Sequence, residues 1–220
     1  MFPFMPNGIY PSRGFDFALL ATGAATGGVT VTPSSIDSRR TILVVQVRNS
    51  GGTGLLPGDA AIVAGSPGTV VSALKSTAFD DGHAITVTAA RVTSGNTVAI
   101  SFPNADGEYY IYEVYGITDF GAAVSAIASV RNTDGGNSPL PTNVVSVAAS
   151  SENSVVMFMG MRNGNAAVPN DVTGKLNSYS VARGALVGFD TNPSSGTTSY
   201  TFATGSPALI IAIAINKDAG

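Results

Sequence analysis

The stretch TILVVQV, residues 41–47, is an almost continuous apolar run with the length of a β-strand. SVVMFM at residues 154–159 and ALIIAIAI at residues 208–215 have the same character. Short apolar runs rich in Val and Ile are typical of central strands that are covered on both faces. These three runs therefore predict a β protein whose central strands lie between other layers.

Further strands are predicted around these runs, because short apolar or alternating segments recur between turn dipeptides such as Asn-Gly, Asp-Gly and Ser-Gly. AITVTAARV (84–92) alternates in polarity, which predicts a half-buried strand. Residues 120–130 fit either a strand or a short helix, and we favour the strand. The predicted strands are 15–22, 28–32, 41–47, 60–64, 69–75, 85–91, 97–102, 109–115, 124–130, 144–148, 154–161, 179–189, 197–203 and 208–216.

A weak internal similarity links two of the apolar runs. LVVQVRNSG and MFMGMRNGN both end in Arg-Asn followed by a turn, at Arg48-Asn49 and Arg162-Asn163. Matched strands of this kind are expected in the facing sheets of a sandwich, and chance is an equally good explanation.

The first fourteen residues differ from the rest of the chain. Prolines at positions 3, 6 and 11 oppose regular strand pairing, and large apolar side chains are costly in a free tail. We therefore expect residues 1–14 to be an extended arm that docks on a neighbouring subunit, with folding back over its own core as the alternative. The expected docking residues are Phe2, Phe4, Ile9, Tyr10 and Arg13. Residues 15–220 are expected to form one β-sandwich domain.

Composition limits the function classes. Only 11% of the 220 residues are charged, and the net charge is −3, which argues against nucleic acid as a partner. The chain has no cysteine, so disulfides and thiol chemistry are excluded. No apolar run is long enough for a transmembrane helix, and the N-terminal residues do not resemble a signal peptide. We therefore expect a chain made in the cytoplasm, with no membrane partner.

No catalytic constellation is evident, and we expect the chain not to be an enzyme. The only histidine, His83, follows Asp-Gly and is interpreted as a turn residue, without the partners of a Ser-His-Asp triad. Asp80, Asp81, Asp106 and Asp134 lie in predicted turns and lack calcium-loop spacing, so no cofactor or metal is expected. The glycine-rich GAATGG (23–28) lacks the helix and lysine of a phosphate-binding loop.

EYYIYEVYGI, residues 108–117, is the densest group of aromatic and acidic residues. Alternation places Tyr109, Glu113 and Tyr115 on one strand face and Tyr112 on the other. Glu113 is the best candidate for a catalytic acid, as in a glycosidase, and a hydrogen-bonded structural carboxylate is the favoured interpretation. Tyr109, Tyr112 and Tyr115 are candidate contacts for a glycan or a subunit interface, besides a role in the core.

Three segments together resemble the jelly-roll, lectin-like modules of bacteriophage structural proteins and bacterial surface proteins. They are residues 88–120, which include YEVYGI, residues 141–160, and residues 29–49. The similarity covers residues 29–215 and implies an antiparallel β-sandwich of jelly-roll type. The chain lacks the tryptophan that such modules often carry, which argues against sugar binding.

This resemblance and the composition predict a structural component of a phage virion, either capsid-decorating, head-spike or tail-associated. The expected partners are other virion proteins and further copies of the chain. A carbohydrate-binding module for host polysaccharide is the alternative, and a polysaccharide-degrading enzyme is a third.

Overall fold

The computed structural model describes most of the strand-forming sequence. The described residues are 14–33, 40–49, 61–62, 67–75, 83–92, 97–102, 107–118, 124–131, 144–150, 152–162, 185–201 and 207–218. Within them there is no helix, and there are fourteen strands. These are β1 (Asp16–Ala24), β2 (Gly28–Val31), β3 (Thr41–Asn49), β4 (Ala61–Ile62), β5 (Pro67–Lys75), β6 (His83–Val92), β7 (Val98–Ser101), β8 (Glu108–Tyr115), β9 (Val124–Arg131), β10 (Val144–Ala149), β11 (Ser154–Arg162), β12 (Ala185–Asp190), β13 (Gly196–Thr201) and β14 (Pro207–Asn216).

Each predicted strand overlaps an observed one, and in the ambiguous segment the described residues 124–130 belong to β9. The observed bounds differ by a few residues, and the first part of the predicted strand 179–189 lies outside the described residues. His83 is the first residue of β6 rather than part of a turn, because its backbone pairs with Asn49 on β3. The all-β prediction is therefore confirmed.

Two large antiparallel sheets form the centre of the molecule. One has the strand order β1-β8-β3-β6-β5, and the other has the order β12-β11-β14-β9. Their facing side chains make one buried core, to which each sheet contributes alternate residues of its strands. Among the side chains of this central core are Leu43, Val45, Tyr112, Met157 and Ile213.

A smaller sheet covers the outer face of each large sheet. The three-stranded sheet β2-β7-β4 packs on the five-stranded sheet through a cluster that includes Val44, Ile100 and Ile111. The two-stranded sheet β10-β13 packs on the four-stranded sheet through Val147 and Phe158, among others. The described strands thus form four layers, which explains why β3, β11 and β14 are apolar on both faces.

Layering also corrects one expectation. AITVTAARV was predicted to be half-buried, but residues 85–90 of β6 are all buried. Ile85 and Val87 face the central core, whereas Ala90 faces the cluster beneath the three-stranded sheet. Thr86 and Thr88 share the side of Ala90, so their hydroxyls lie between layers and not in solvent.

Strand pairing repeats along the chain. In the first half β1 pairs with β8, β8 with β3, β3 with β6, and β2 with β7. In the second half β9 pairs with β14, β14 with β11, β11 with β12, and β10 with β13. The two sets follow the same order along the chain, so the halves are structural repeats. The weak sequence similarity falls on β3 and β11, which occupy equivalent positions in the two facing sheets.

The structure establishes an antiparallel sandwich but not a complete jelly roll. A jelly roll winds eight strands into two sheets. In the first half β5 pairs with β6 instead of joining the sheet of β2. In the second half residues 163–184, between β11 and β12, lie outside the described residues. The jelly-roll assignment and the boundaries at residues 14 and 15 therefore stay predictions.

Gly188 on β12 tests the packing of the second half. A Cβ at this position would lie 2.5 Å from the ring of Phe158, which is fully buried and stacks on Tyr200. Gly188→Ala is expected to lower the free energy of unfolding by about 1–3 kcal/mol, because the ring has no free space to move into. Urea unfolding measures this change.

Gly14→Ala is the matched control, since nothing lies within 4 Å of the added Cβ. Adding Phe158→Leu to Gly188→Ala should recover part of the loss. An unchanged midpoint for Gly188→Ala would contradict the packing described for β12.

Candidate functional site

The tyrosine-rich strand β8 contributes to two cores at once. Tyr110 and Tyr112 are fully buried in the central core, and Ile111 lies in the cluster beneath the three-stranded sheet. The alternation predicted from the sequence is therefore correct, and both faces of β8 are covered.

Each end of β8 carries a hydrogen bond between a tyrosine and a glutamate two residues away. Tyr110 Oη donates to Glu108 Oε2 at 3.2 Å, and Tyr115 Oη donates to Glu113 Oε1 at 2.5 Å. Both carboxylates are buried, Glu113 completely. Residues two apart share a strand face, which brings these partners together without any long-range contact.

The two carboxylates are not arranged for glycoside hydrolysis. That reaction needs two carboxyl groups on either side of one bond. Glu108 and Glu113 are separated by an odd number of positions on one strand, so they lie on opposite faces of the sheet. Glu113 also has no exposed surface through which a sugar could reach it.

The candidate glycan contacts differ in their burial. Tyr112 is fully buried and Tyr115 is 4% exposed, so neither ring offers a face to a glycan or a neighbouring subunit. Tyr109 is half-buried, and its ring stacks on Phe102 with 4.8 Å between centroids. Its hydroxyl lies over Gly23, where an added Cβ would be 3.1 Å away. Of the three tyrosines, only Tyr109 keeps partial access to solvent.

Two buried polar residues on or beside β3 were not predicted as site residues. Arg40 has no exposed surface, and Gln46 is 2% exposed. They lie an even number of positions apart, on the strand face that carries Ile42 and Val44 beneath the three-stranded sheet. Neither amide atom of Gln46 has a hydrogen-bond partner. Because residues 41–47 form an almost continuous apolar run, Arg40 and Gln46 drew no attention as a pair. Strand alternation along residues 40–46 places them on the same face and could have indicated this.

The connection between the two halves is a further polar cluster. Arg91 Nη2 donates to the carbonyl oxygens of Ile117 and Thr118, at 3.0 and 2.9 Å. Ile117 forms an isolated bridge with Lys217, just after the last strand of the second half. The guanidinium of Arg91 therefore holds the point at which the first half passes into the second.

Gly116 lies against the first described residues of the chain. Its φ is +73°, a region that favours glycine. A Cβ there would lie 2.8 Å from the backbone nitrogen of Phe15. The chain at Gly14 and Phe15 thus rests against the end of β8.

An aromatic cluster closes one side of the central core. Phe17 on β1 lies 4.4 Å from Phe189 on β12, measured between ring centroids, and Phe15 lies 6.2 Å from it. Tyr112 meets Phe189 edge-on at 5.2 Å. Further along β1 this cover ends, and Leu19 is 45% exposed. Within the described residues no other large hydrophobic side chain is exposed.

β1 is an edge strand. Among the described strands only β8 pairs with it, and the register shifts between Leu19 and Ala21. The shift leaves Leu20 as the extra residue of a bulge, which interrupts regular pairing along the edge. The predicted docking residues Phe2, Phe4, Ile9, Tyr10 and Arg13 lie outside the described residues, directly before this strand.

The second half has a buried tyrosine–carboxylate pair. Tyr200 Oη donates to Asp190 Oδ2 at 3.1 Å, and the Asn192 amide donates to Asp190 Oδ1 at 3.1 Å. Burial raises the pKa of Tyr200 well above its usual value of 10.0, and the negative charge of Asp190 and the hydrogen bond add to this. The pair connects β12 to β13 in the outer layer.

The described residues contain no group of three His, Cys, Asp or Glu side chains that could hold a metal ion. Asp80, Asp81, Asp106 and Asp134 lie outside the part of the chain that the structure describes. None of the described segments is a helix long and apolar enough to cross a membrane.

No family model matches the chain, and neither curated proteins nor solved structures include a match.

The Tyr200–Asp190 pair predicts a pH dependence of stability. The folded protein holds the Tyr200 proton more tightly than the unfolded chain, in which a tyrosine titrates near pH 10. The stabilisation is therefore complete below about pH 10 and decreases as the pH rises further, by up to about 1.4 kcal/mol per pH unit for one proton. Tyr200→Phe should reduce this decrease.

The measurement is urea unfolding of both proteins between about pH 8.5 and about pH 11, a range that includes the ordinary tyrosine pKa near 10. The comparison concerns the slope with pH, because the substitution also removes a hydrogen bond and shifts the absolute stability. Parallel slopes for the two proteins would show that Tyr200 keeps an ordinary pKa.

Proposed function

We propose that this chain is a structural component of a bacteriophage particle that acts through protein–protein assembly. Its place would be that of a capsid-decorating, head-spike or tail-associated protein. The proposal rests on the residues and on the resemblance to phage jelly-roll modules described above. Within it, the partners are other virion proteins and further copies of the chain.

The observation that carries the proposal is a charge-poor outer face. On the two-stranded sheet, Ser146 and Ser199 are exposed and lie 2.7 Å apart between hydroxyl oxygens. Ala148, Thr197 and Thr201 are also exposed there. Free domains stay soluble through charged surfaces, whereas the centres of protein interfaces are depleted in charge. With only 11% charged residues, the chain is better suited to packing against other proteins than to diffusing alone.

The arm supplies the second support. Residues 1–13 carry Phe2, Phe4, Ile9 and Tyr10 and are followed by Gly14, which rests beside Gly116. Burial of these side chains on a neighbouring molecule would remove their apolar surface from water. An arm that leaves a rigid sandwich at a fixed point is suited to linking copies in a symmetric assembly.

Removal of residues 1–13 tests this proposal. The full chain is expected to form a defined oligomer, and the shortened chain is expected to have the mass of one subunit with its β-sheet circular dichroism retained. Light scattering after size exclusion measures the mass. A matched control keeps the arm length and replaces Phe2, Phe4, Ile9 and Tyr10 by Ser, which should have the same effect as removal.

The same number of subunits for all three proteins, whether they are oligomers or monomers, would contradict arm-mediated assembly. Location is tested separately by labelling purified phage particles with an antibody against the chain. Label at the head or the tail is expected, and unlabelled particles would contradict the virion assignment.

Carbohydrate binding is the second candidate function, and Tyr109 is the observation that favours it. Its half-buried ring, stacked on Phe102, is an aromatic surface of the kind on which a sugar ring packs. If the chain binds host polysaccharide through this surface, Tyr109→Ala should weaken binding at least tenfold, while Tyr112→Ala should mainly destabilise the fold. A glycan array followed by calorimetry measures the affinity. Equal affinity for Tyr109→Ala and the original chain would remove this candidate.

A further inference from the structure

The inward side of β1 is an incompletely covered apolar surface. We call it the β1 rim and define it as Phe15, Phe17 and Leu19. The register places Phe17 opposite Val114 and Leu19 opposite Tyr112, so both lie on the sheet face whose residues Val114 and Tyr112 line the central core. Phe189 covers the first part of the rim, but Leu19 is exposed, and Thr22, further along β1 and outside the rim, is exposed as well.

We propose that the β1 rim is the docking site for residues 1–13 of the arm of a second copy of this chain. The proposal deepens the assembly function proposed above and rests on it. An exposed leucine beside two half-buried phenylalanines offers apolar area, and the arm offers Phe2, Phe4, Ile9 and Tyr10.

The dimensions of arm and rim agree. Thirteen extended residues reach about 43–47 Å. β1 has 9 residues, which corresponds to about 30 Å. An arm that leaves one copy at Gly14 can therefore cross a subunit boundary and still reach Phe17 and Leu19 in the next copy.

The position of Gly14 favours a second copy over the same copy. Gly14 lies beside the Asp16 end of β1, so an arm covering its own Leu19 would have to reverse direction before reaching it. Tyr10 precedes Pro11 and is therefore restricted to extended conformations. An arm arriving from a neighbouring copy needs no such reversal, and exchange of a terminal segment is a common route to oligomers.

The arm is better suited to packing its side chains on the β1 rim than to pairing with β1 as a further strand. The bulge at Leu20 interrupts the hydrogen-bonding edge of β1, and the arm has prolines at positions 3, 6 and 11, which lack an amide hydrogen. Its aromatic side chains, spaced between the prolines, can instead pack on Leu19 and Phe17.

Leu19→Asp tests the rim directly, with Thr22→Asp as the matched control. Both positions are exposed, lie on the inward side of the same strand and gain the same charge. Leu19→Asp is expected to shift the chain from oligomer to monomer in light scattering at unchanged circular dichroism. Thr22→Asp is expected to weaken the oligomer much less. An oligomer unchanged by Leu19→Asp would overturn the docking site.

Disulfide trapping identifies which copy supplies the arm, since the chain has no cysteine of its own. One preparation carries Leu19→Cys, and the other carries Phe4→Cys or Ile9→Cys. After mixing and mild oxidation, a linked dimer containing one chain of each kind is expected. If the double variant Ile9→Cys/Leu19→Cys instead forms only an internal disulfide and the mixture stays unlinked, the arm covers its own rim and the proposal is wrong.

Assembly through the arm and docking of the arm on the β1 rim are distinguished by different outcomes. If removal of the arm dissociates the oligomer but Leu19→Asp does not, the arm mediates assembly through another surface and only the rim proposal falls. If removal of the arm leaves the mass unchanged, arm-mediated assembly itself falls, and the rim proposal falls with it.

Discussion

The rest of the structure depends on the burial of one apolar core between two sheets that belong to different halves of the chain. Met157, Ile211 and Ile213 from the second half face Val45, Val87 and Tyr112 from the first. Because hydrophobic stabilisation scales with the area removed from water, neither sheet can leave this face open. The shared core thereby holds the halves together. At its edges, Arg91 donates to the carbonyl oxygens of Ile117 and Thr118, and Phe189 of the second half packs on Phe17 of the first.

Repetition of the strand pairing explains why the central strands are apolar on both faces. Each half forms its own smaller core beneath an outer sheet, at Val44 and Ile111 in the first and at Val147 and Phe158 in the second. Both faces of each central sheet are thus covered by other strands. On β8 the buried pairs Tyr110–Glu108 and Tyr115–Glu113 are hydrogen-bonded between neighbours on the same strand.

The outer layers have the opposite composition. Their exposed positions carry Ser, Thr and Ala, and the chain as a whole has few charges. Such surfaces are compatible with close packing against other proteins, where charge depletion avoids the cost of desolvating ions. Among the described residues, the edge strand β1 carries the exposed large hydrophobic side chain, Leu19.

The strands could be predicted from the order of the amino acids, because periodicity and turn residues act locally: AITVTAARV, TILVVQV and residues 124–130 all lie in strands near the predicted bounds. The same holds for the alternation of Tyr110 and Ile111 along β8, which follows from the geometry of a single strand. The burial of Thr86 and Thr88, and the absence of an exposed face on Tyr112, became evident only in the folded structure. Those outcomes depend on which distant strands cover each face of a sheet, and such long-range pairing leaves no signal in the local spacing of residues.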